Sequence, residues 1–147
     1  MVLPDSYTLH AGPPSPEDYL RLRRESGLRP KSPEQAEHAL RGSWSSCHVT
    51  SPDGETVAMG RVIGDGGWYF VVADMATAPR HQRRGLGRAV LDHLLAEIEG
   101  RAPGEPYVTL TADAAGRRLY EQAGFTAFTP DQTGMQLVLG LARAIST

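Results

Sequence analysis

Arg83, Arg84 and Arg88 lie in one run, Met75-Ala76-Thr77-Ala78-Pro79-Arg80-His81-Gln82-Arg83-Arg84-Gly85-Leu86-Gly87-Arg88, that also holds two glycines. Each guanidinium can pair with a phosphate through a forked set of donors. Gly85 and Gly87 let the backbone turn and approach a ligand without a Cβ in the way. A helix that starts here leaves its first amide hydrogens unpaired, with the positive end of its dipole beside them. The run therefore reads as an anion cradle between a strand and a helix. Two common cradles are weak readings on spacing: a dinucleotide fingerprint needs a third glycine where Val90 stands, and the Gly-Lys-Ser/Thr of a P-loop occurs nowhere. The plain alternative is a solvated basic turn capping a surface helix.

Other reactive side chains are sparse. Cys47 is the only cysteine, so an intrachain disulfide and a Cys-rich zinc site are excluded, as expected of a reducing compartment. With no activating neighbour in the sequence, Cys47 reads as a small buried residue rather than a nucleophile. His10, His38, His48 and His93 lack metal-ligand spacing and His81 reads as a packing or solvent-facing residue, so no metal is expected.

The 147 residues, 40% hydrophobic and 22% charged, suit a single domain spanning 1–147 with a real core. A formal net charge of −2 argues against a general nucleic-acid binder, because affinity for a polyanion sums over neutralised phosphates. The start, Met1-Val2-Leu3-Pro4-Asp5, lacks the basic and apolar regions of a signal peptide, and no later run is long enough to span a bilayer. A cytoplasmic protein with no membrane partner is expected.

The elements that must position the cradle follow from local patterns. Tyr7 to His10 suits an opening strand, ended by Gly12-Pro13-Pro14. Ser15-Pro16-Glu17-Asp18 supplies an N-cap, a first-turn proline and acids for a helix that stops near Gly27. Ser32 and Gln35 have capping-box spacing for a second helix to Arg41. Trp44 to Thr50 and Thr56 to Ile63 form a hairpin about Ser51-Pro52-Asp53-Gly54, and after Gly64-Asp65-Gly66-Gly67 the apolar run Trp68 to Thr77 predicts a central strand. Beyond Gly85, Leu86, Val90, Leu91, Leu94, Leu95 and Ile98 give one buried helical stripe that ends at Gly100. Tyr107 to Thr111 predicts a strand, Asp113 the cap of a helix through Ala123 that Gly124 terminates, and Phe125 to Phe128 and Met135 to Leu139 two closing strands. The result is an α/β arrangement of about seven strands and four helices in a mixed sheet covered on both faces.

Gln82-x-x-Gly85-x-Gly87 resembles the Gln/Arg-x-x-Gly-x-Gly/Ala loop that grips the pyrophosphate of coenzyme A in the GCN5-related N-acetyltransferases, the GNAT superfamily. Leu119-Tyr120-Glu121-Gln122-Ala123-Gly124-Phe125 resembles that family's Leu-Tyr-x-x-x-Gly-Phe, and Thr77-Ala78-Pro79 its Val-x-Pro at the exit of strand four. Two positions depart from the pattern: Asp113 stands in place of the usual asparagine and Gly116 in place of the usual alanine. Arg61 to Gly67 and Thr129 to Met135 are similar to a bacterial branch that itself resembles plastid arylalkylamine acetyltransferases.

The resemblance implies a mostly antiparallel sheet splayed between strands four and five, and acetyl-CoA as co-substrate. The backbone of Met75, Ala76 and Thr77 would hold the pantetheine arm, and Gln82, Arg83, Arg84, Gly85, Leu86, Gly87 and Arg88 its phosphates. The catalytic candidates are Tyr120, as proton donor to the departing thiolate, and Asp74, as acceptor of the amine proton, directly or through water. For the amine, Arg23, Arg24 and Arg29 are candidate holders of a carboxylate, and Trp44, Trp68 and Tyr69 candidate stacking faces. The expected function is transfer of acetyl to the primary amine of a small molecule in a ternary complex. Protein lysine or N-terminal amines are the alternative acceptors, and a non-catalytic acyl-CoA sensor the alternative class. A nucleic-acid module is disfavoured, because the arginines lack interleaved aromatics. A homodimer is left open.

Overall fold

The computed structural model describes residues 3–140, which fall into two compact units divided in the chain between Asp113 and Ala114. In the first unit the elements run β1 (Thr8–Ala11), α1 (Pro16–Glu25), α2 (Pro33–Gly42), β2 (Ser45–Thr50), β3 (Thr56–Gly64), β4 (Tyr69–Thr77), α3 (Leu86–Arg101) and β5 (Tyr107–Thr109). The strands lie in chain order, β1 to β4 antiparallel and β4 parallel to β5.

Local chemistry places these elements. The Ser15 hydroxyl accepts from the Asp18 amide at 3.1 Å, and Pro16, Glu17 and Asp18 fill the first turn of α1. Both arms of the expected capping box form in α2: Gln35 N donates to Ser32 Oγ at 3.1 Å and Ser32 N to Gln35 Oε1 at 3.0 Å. At the β3–β4 turn the Asp65 carboxylate accepts from the amides of Gly67, Trp68 and Tyr69, at 2.7, 3.0 and 3.3 Å.

Most of the predicted apolar stripe of α3 is buried, with Leu86, Val90, Leu91, Leu94 and Ile98 packed against β2, β3 and β4, while Leu95 is only half-buried. At roughly 1.5–3 kcal/mol for each fully buried aliphatic side chain, this stripe anchors one face of the sheet. The opposite face carries α1 and α2, because side chains alternate along a strand. Gly60 of β3 looks toward Val90 and Leu94 of α3, while Arg61 reaches Ala39 and Ser43 at the end of α2.

In the second unit α4 (Arg117–Gln122) ends at Gly124, whose φ of 104° suits glycine. Three expectations need correction. The cap of α4 is Gly116 rather than Asp113, so the helix begins later than the sequence predicts. The strand expected to Thr111 stops at Thr109. The closing strands at Phe125 to Phe128 and Met135 to Leu139 do not form: those residues pair with no strand among the described residues, and Phe128, Met135, Leu137, Val138 and Leu139 are exposed. The sheet of the described residues thus has five strands rather than about seven.

Candidate active site

The cradle begins where β4 ends. A short 3₁₀ turn, Pro79–His81, follows Thr77, and the chain then passes Arg83 at φ 64° and Gly85 at φ 80° into α3. Gly85 is the N-cap of α3 and offers no side-chain hydrogen bond, so the first-turn amides at Leu86 and Gly87 keep their donors for a ligand. Gln82 Nε2 donates to the Thr77 carbonyl at 3.2 Å, tying the loop back to the strand.

The arginines divide by partner. Arg88 is paired with Asp92 at 2.9 Å and Arg80 with Glu55 at 2.9 Å. Arg83 and Arg84 are exposed and carry no ion pair among the described residues. Arg84 Nη1 donates to Tyr7 Oη at 3.1 Å, and that hydroxyl lies 2.7 Å from His81 Nδ1. With the Tyr7 oxygen accepting from Arg84, its proton is free for the imidazole. Tyr7 gives no functional signal in the sequence; it reads only as part of an opening strand.

Beside the cradle the sheet opens. β4 and β5 pair at Tyr69–Tyr107, Phe70–Val108 and Val71–Thr109, and the pairing then stops. From Val72 to Thr77 the β4 edge away from β3 has no strand partner among the described residues. Apart from the Thr77 carbonyl, which accepts from Gln82, its backbone groups are available to a ligand that adds as an extended strand. Met75, Ala76 and Thr77 lie on this edge and run straight into the cradle.

The same stretch is bulged. Ala73 pairs with Arg61 and Ala76 with Met59, so Asp74 and Met75 together oppose Gly60. Asp74 takes φ 56°, unusual for a non-glycine residue. Its carboxylate accepts from Tyr19 Oη at 2.5 Å, from Arg61 Nε at 2.6 Å and from Arg23 Nη1. Burial by itself pushes the Asp74 carboxyl up, but the Tyr19 hydrogen bond and the Arg61 and Arg23 charges outweigh it, leaving the group below the ordinary carboxylate range. Burial and the bond to Asp74 push the Tyr19 phenol up. A carboxylate so paired is a poor proton acceptor, and the geometry opposes the role of base expected for Asp74. Tyr19, Arg61 and Asp74 line a narrow cleft with Pro14, Leu40, Ser46, Met59 and Gly60.

The acceptor candidates are not gathered into one place. Arg23 is buried against Asp74, with Nη2 bonded to the Arg29 carbonyl at 2.7 Å, while the Arg24 and Arg29 side chains are exposed. Trp44 is covered by the Arg101 guanidinium at 4.0 Å and packs on Phe70. Trp68 and Tyr69 are exposed and contact Tyr107 at the beginning of β4. Five steps along extended strand, about 17 Å, separate Tyr69 from Asp74. Tyr120 sits in the second unit, half-buried on α4 with its ring 6.1 Å from Phe125. Cys47 is wholly buried in β2, and burial pushes its thiol up to about 12, which removes it as a nucleophile. No cluster of metal-binding side chains occurs among the described residues, and none of their helices is long and apolar enough to cross a membrane.

The family model described as "Acetyltransferase (GNAT) domain" matches residues 26–138. The chain is 34% identical over 108 residues to serotonin N-acetyltransferase 2, chloroplastic, of rice, a match covering 71% of this chain and 52% of the rice protein. It is 33% identical over 111 residues to the ribosomal protein bS18-alanine N-acetyltransferase of Escherichia coli, covering 65% of this chain and 72% of that enzyme. A solved structure of a protein of unknown function from methicillin-resistant Staphylococcus aureus superposes with a TM-score of 0.84 at 32% identity, over 90% of this chain and 98% of the other.

Proposed function

The chain belongs to the GNAT acetyltransferase superfamily, and from that membership we propose that it transfers the acetyl group of acetyl-CoA to the primary amine of a small molecule. The observation that carries this reading is the parting of β4 from β5 directly before the glycine turn that opens α3. One extended molecule with phosphates at one end and an amide-bearing arm at the other fits that sequence of features. The phosphates meet the Leu86 and Gly87 amides and the Arg83 and Arg84 charges; the arm lies along Met75 to Thr77.

The amine nitrogen, unprotonated, attacks the thioester carbonyl; the carbon–sulfur bond breaks; the thiolate leaves and takes up a proton. A backbone amide of the bulged edge stabilises the carbonyl oxygen as it gains charge. Tyr120 is assigned the proton delivered to sulfur, since a phenol of pKa about 10 is protonated at neutral pH. The amine proton goes to water, because Asp74 is already bonded to three donors.

The two kinds of named relative act on different amines, serotonin in one case and a protein alanine in the other. A panel of primary amines that includes serotonin, together with peptides beginning with alanine, tests the reading by acetyl-CoA-dependent thiol release. Turnover on a small amine supports it, turnover on peptides alone moves the acceptor to protein, and acetyl-CoA binding without any turnover leaves only an acyl-CoA sensor.

A further inference from the structure

Asp74 combines two features: a left-handed backbone in the middle of a strand, and a carboxylate bonded to three donors. The backbone state costs about 1–3 kcal/mol and persists only where its surroundings impose it. Here they do so from several elements at once. Tyr19 and Arg23 come from α1, and Arg61 from β3. Arg23 extends the link to the Arg29 carbonyl after α1, and Arg61 Nη1 extends it to the Ala39 carbonyl at 3.3 Å and the Ser43 hydroxyl at 3.4 Å, at the end of α2. One carboxylate thus ties the bulge to both helices on that face of the sheet. Opposite the bulge, Gly60 has no Cβ, and this leaves room for Met75.

We infer that Asp74 is a positioning residue, which through the Tyr19, Arg23 and Arg61 bonds fixes the bulge and with it the direction of the unpaired β4 edge that receives the acetyl-bearing arm. The inference rests on the proposed acetyl transfer. It assigns the cluster a job in aligning the thioester rather than in moving a proton. Disturbing the cluster changes the hold on the arm and leaves the hold on the phosphates untouched, because the cradle is built by Gln82 to Gly87 and the start of α3.

Calorimetry with acetyl-CoA and with adenosine 3′,5′-bisphosphate, which reaches only the cradle, tests this in Tyr19→Phe, Arg61→Lys, Asp74→Asn and Asp74→Gly. Tyr19→Phe and Arg61→Lys are mild changes that keep the fold; Asp74→Gly accepts the left-handed φ without the tether. Each is expected to bind acetyl-CoA about fivefold or more weakly, the equivalent of one lost hydrogen bond, while binding the bisphosphate as the wild type does. Unchanged acetyl-CoA affinity in Tyr19→Phe and Asp74→Gly overturns the inference, as does a parallel loss of both ligands with thermal stability, which marks a purely structural cluster. A wild type that binds neither ligand overturns the proposed function itself, a different failure from either of these.

Discussion

Gly60 and Met75 face each other across the β3–β4 ladder so closely that a Cβ built on Gly60 would lie 2.6 Å from Met75 Sδ. The same atom would lie 2.7 Å from Val90 Cγ1 and 3.0 Å from Leu94 Cδ1. A methionine end can swing aside, but the two α3 side chains are fully buried and cannot all give way together.

Gly60→Ala is therefore expected to destabilise the protein by about 1–3 kcal/mol, more than the roughly 0.4–1 kcal/mol that a stiffer unfolded chain contributes in the other direction. Urea denaturation measures it. In a double-mutant cycle Val90→Ala should return part of the loss, since the two positions share one space. A Gly60→Ala protein as stable as the parent would show that α3 shifts freely over β3.

Asp74 sets an acid limit. Its carboxyl lies below the ordinary range in the folded chain, so the folded state binds that proton less readily than the unfolded one. The stabilisation is complete above the unfolded value near 4 and is lost as pH falls through the lower folded value. Tyr19, whose phenol burial and Asp74 push up, stays protonated over that range. Asp74→Asn is expected to lower stability at pH 7 by about 3–5 kcal/mol, because it leaves the buried Arg23 and the partly buried Arg61 without their counterion, and to flatten the fall in stability below about pH 4. Denaturation midpoints from pH 2.5 to 7 check both. An unaltered acid profile would assign the acid limit to other carboxylates.

What the sequence revealed depended on whether the signal was local. Ser15, Ser32 and Gln35 announced their caps because capping needs only residues three apart, and the α3 stripe announced its buried face by period. The cradle was legible for the same reason, its glycines and arginines being contiguous. The bulge was not: Asp74 adopts a positive φ without being glycine, and the contacts that impose it come from Tyr19, Arg23 and Arg61, far along the chain. Nothing local to Tyr19 names its partner, although a buried tyrosine hydroxyl usually finds one. Arg23 reads from the sequence as a holder of a substrate carboxylate, and for the same lack of long-range information its partner Asp74 is not foreseen. At Phe125 to Phe128 and Met135 to Leu139 the residue types favour strands, but type alone supplies no pairing edge, and none forms among the described residues.

Gly87 offers a way to separate folding from cofactor binding. It lies in the first turn of α3 and is absent from the positive-φ residues, so a side chain fits the helical backbone there. Gly87→Leu should leave stability unchanged or raise it by up to about 1 kcal/mol through helix propensity. Its side chain should block the approach of phosphate to the first amides and abolish coenzyme A binding in calorimetry. Retained affinity would remove the cradle from the site.

The arginines make a second test of the same site. If Arg83 or Arg84 reaches the 3′-phosphate, coenzyme A binds more tightly than dephospho-coenzyme A by about 1.5–3 kcal/mol, the size of a charge-assisted contact. Tyr7→Phe removes the hydroxyl that accepts from Arg84, and should change that discrimination if Arg84 is the residue responsible. Equal affinities for the two ligands in the wild type would confine both arginines to the pyrophosphate or to solvent.

Tyr120→Phe is expected to lower turnover while leaving acetyl-CoA affinity and thermal stability nearly intact. The ring keeps its edge contact with Phe125, and the backbone bond from Phe125 N to Tyr120 O at 3.0 Å does not involve the hydroxyl. The substitution takes away the proposed proton donor. Positioned acid catalysis contributes about 10²- to 10⁴-fold, so a fall of at least about tenfold should remain even where water partly substitutes. Equal losses in kcat and kcat/KM are the mark of a group that acts in the transition state alone. Loss of affinity or stability together with rate would identify Tyr120 as a packing residue of α4. Wild-type turnover on the best amine, where chemistry limits the rate, would leave solvent as the source of the proton on sulfur.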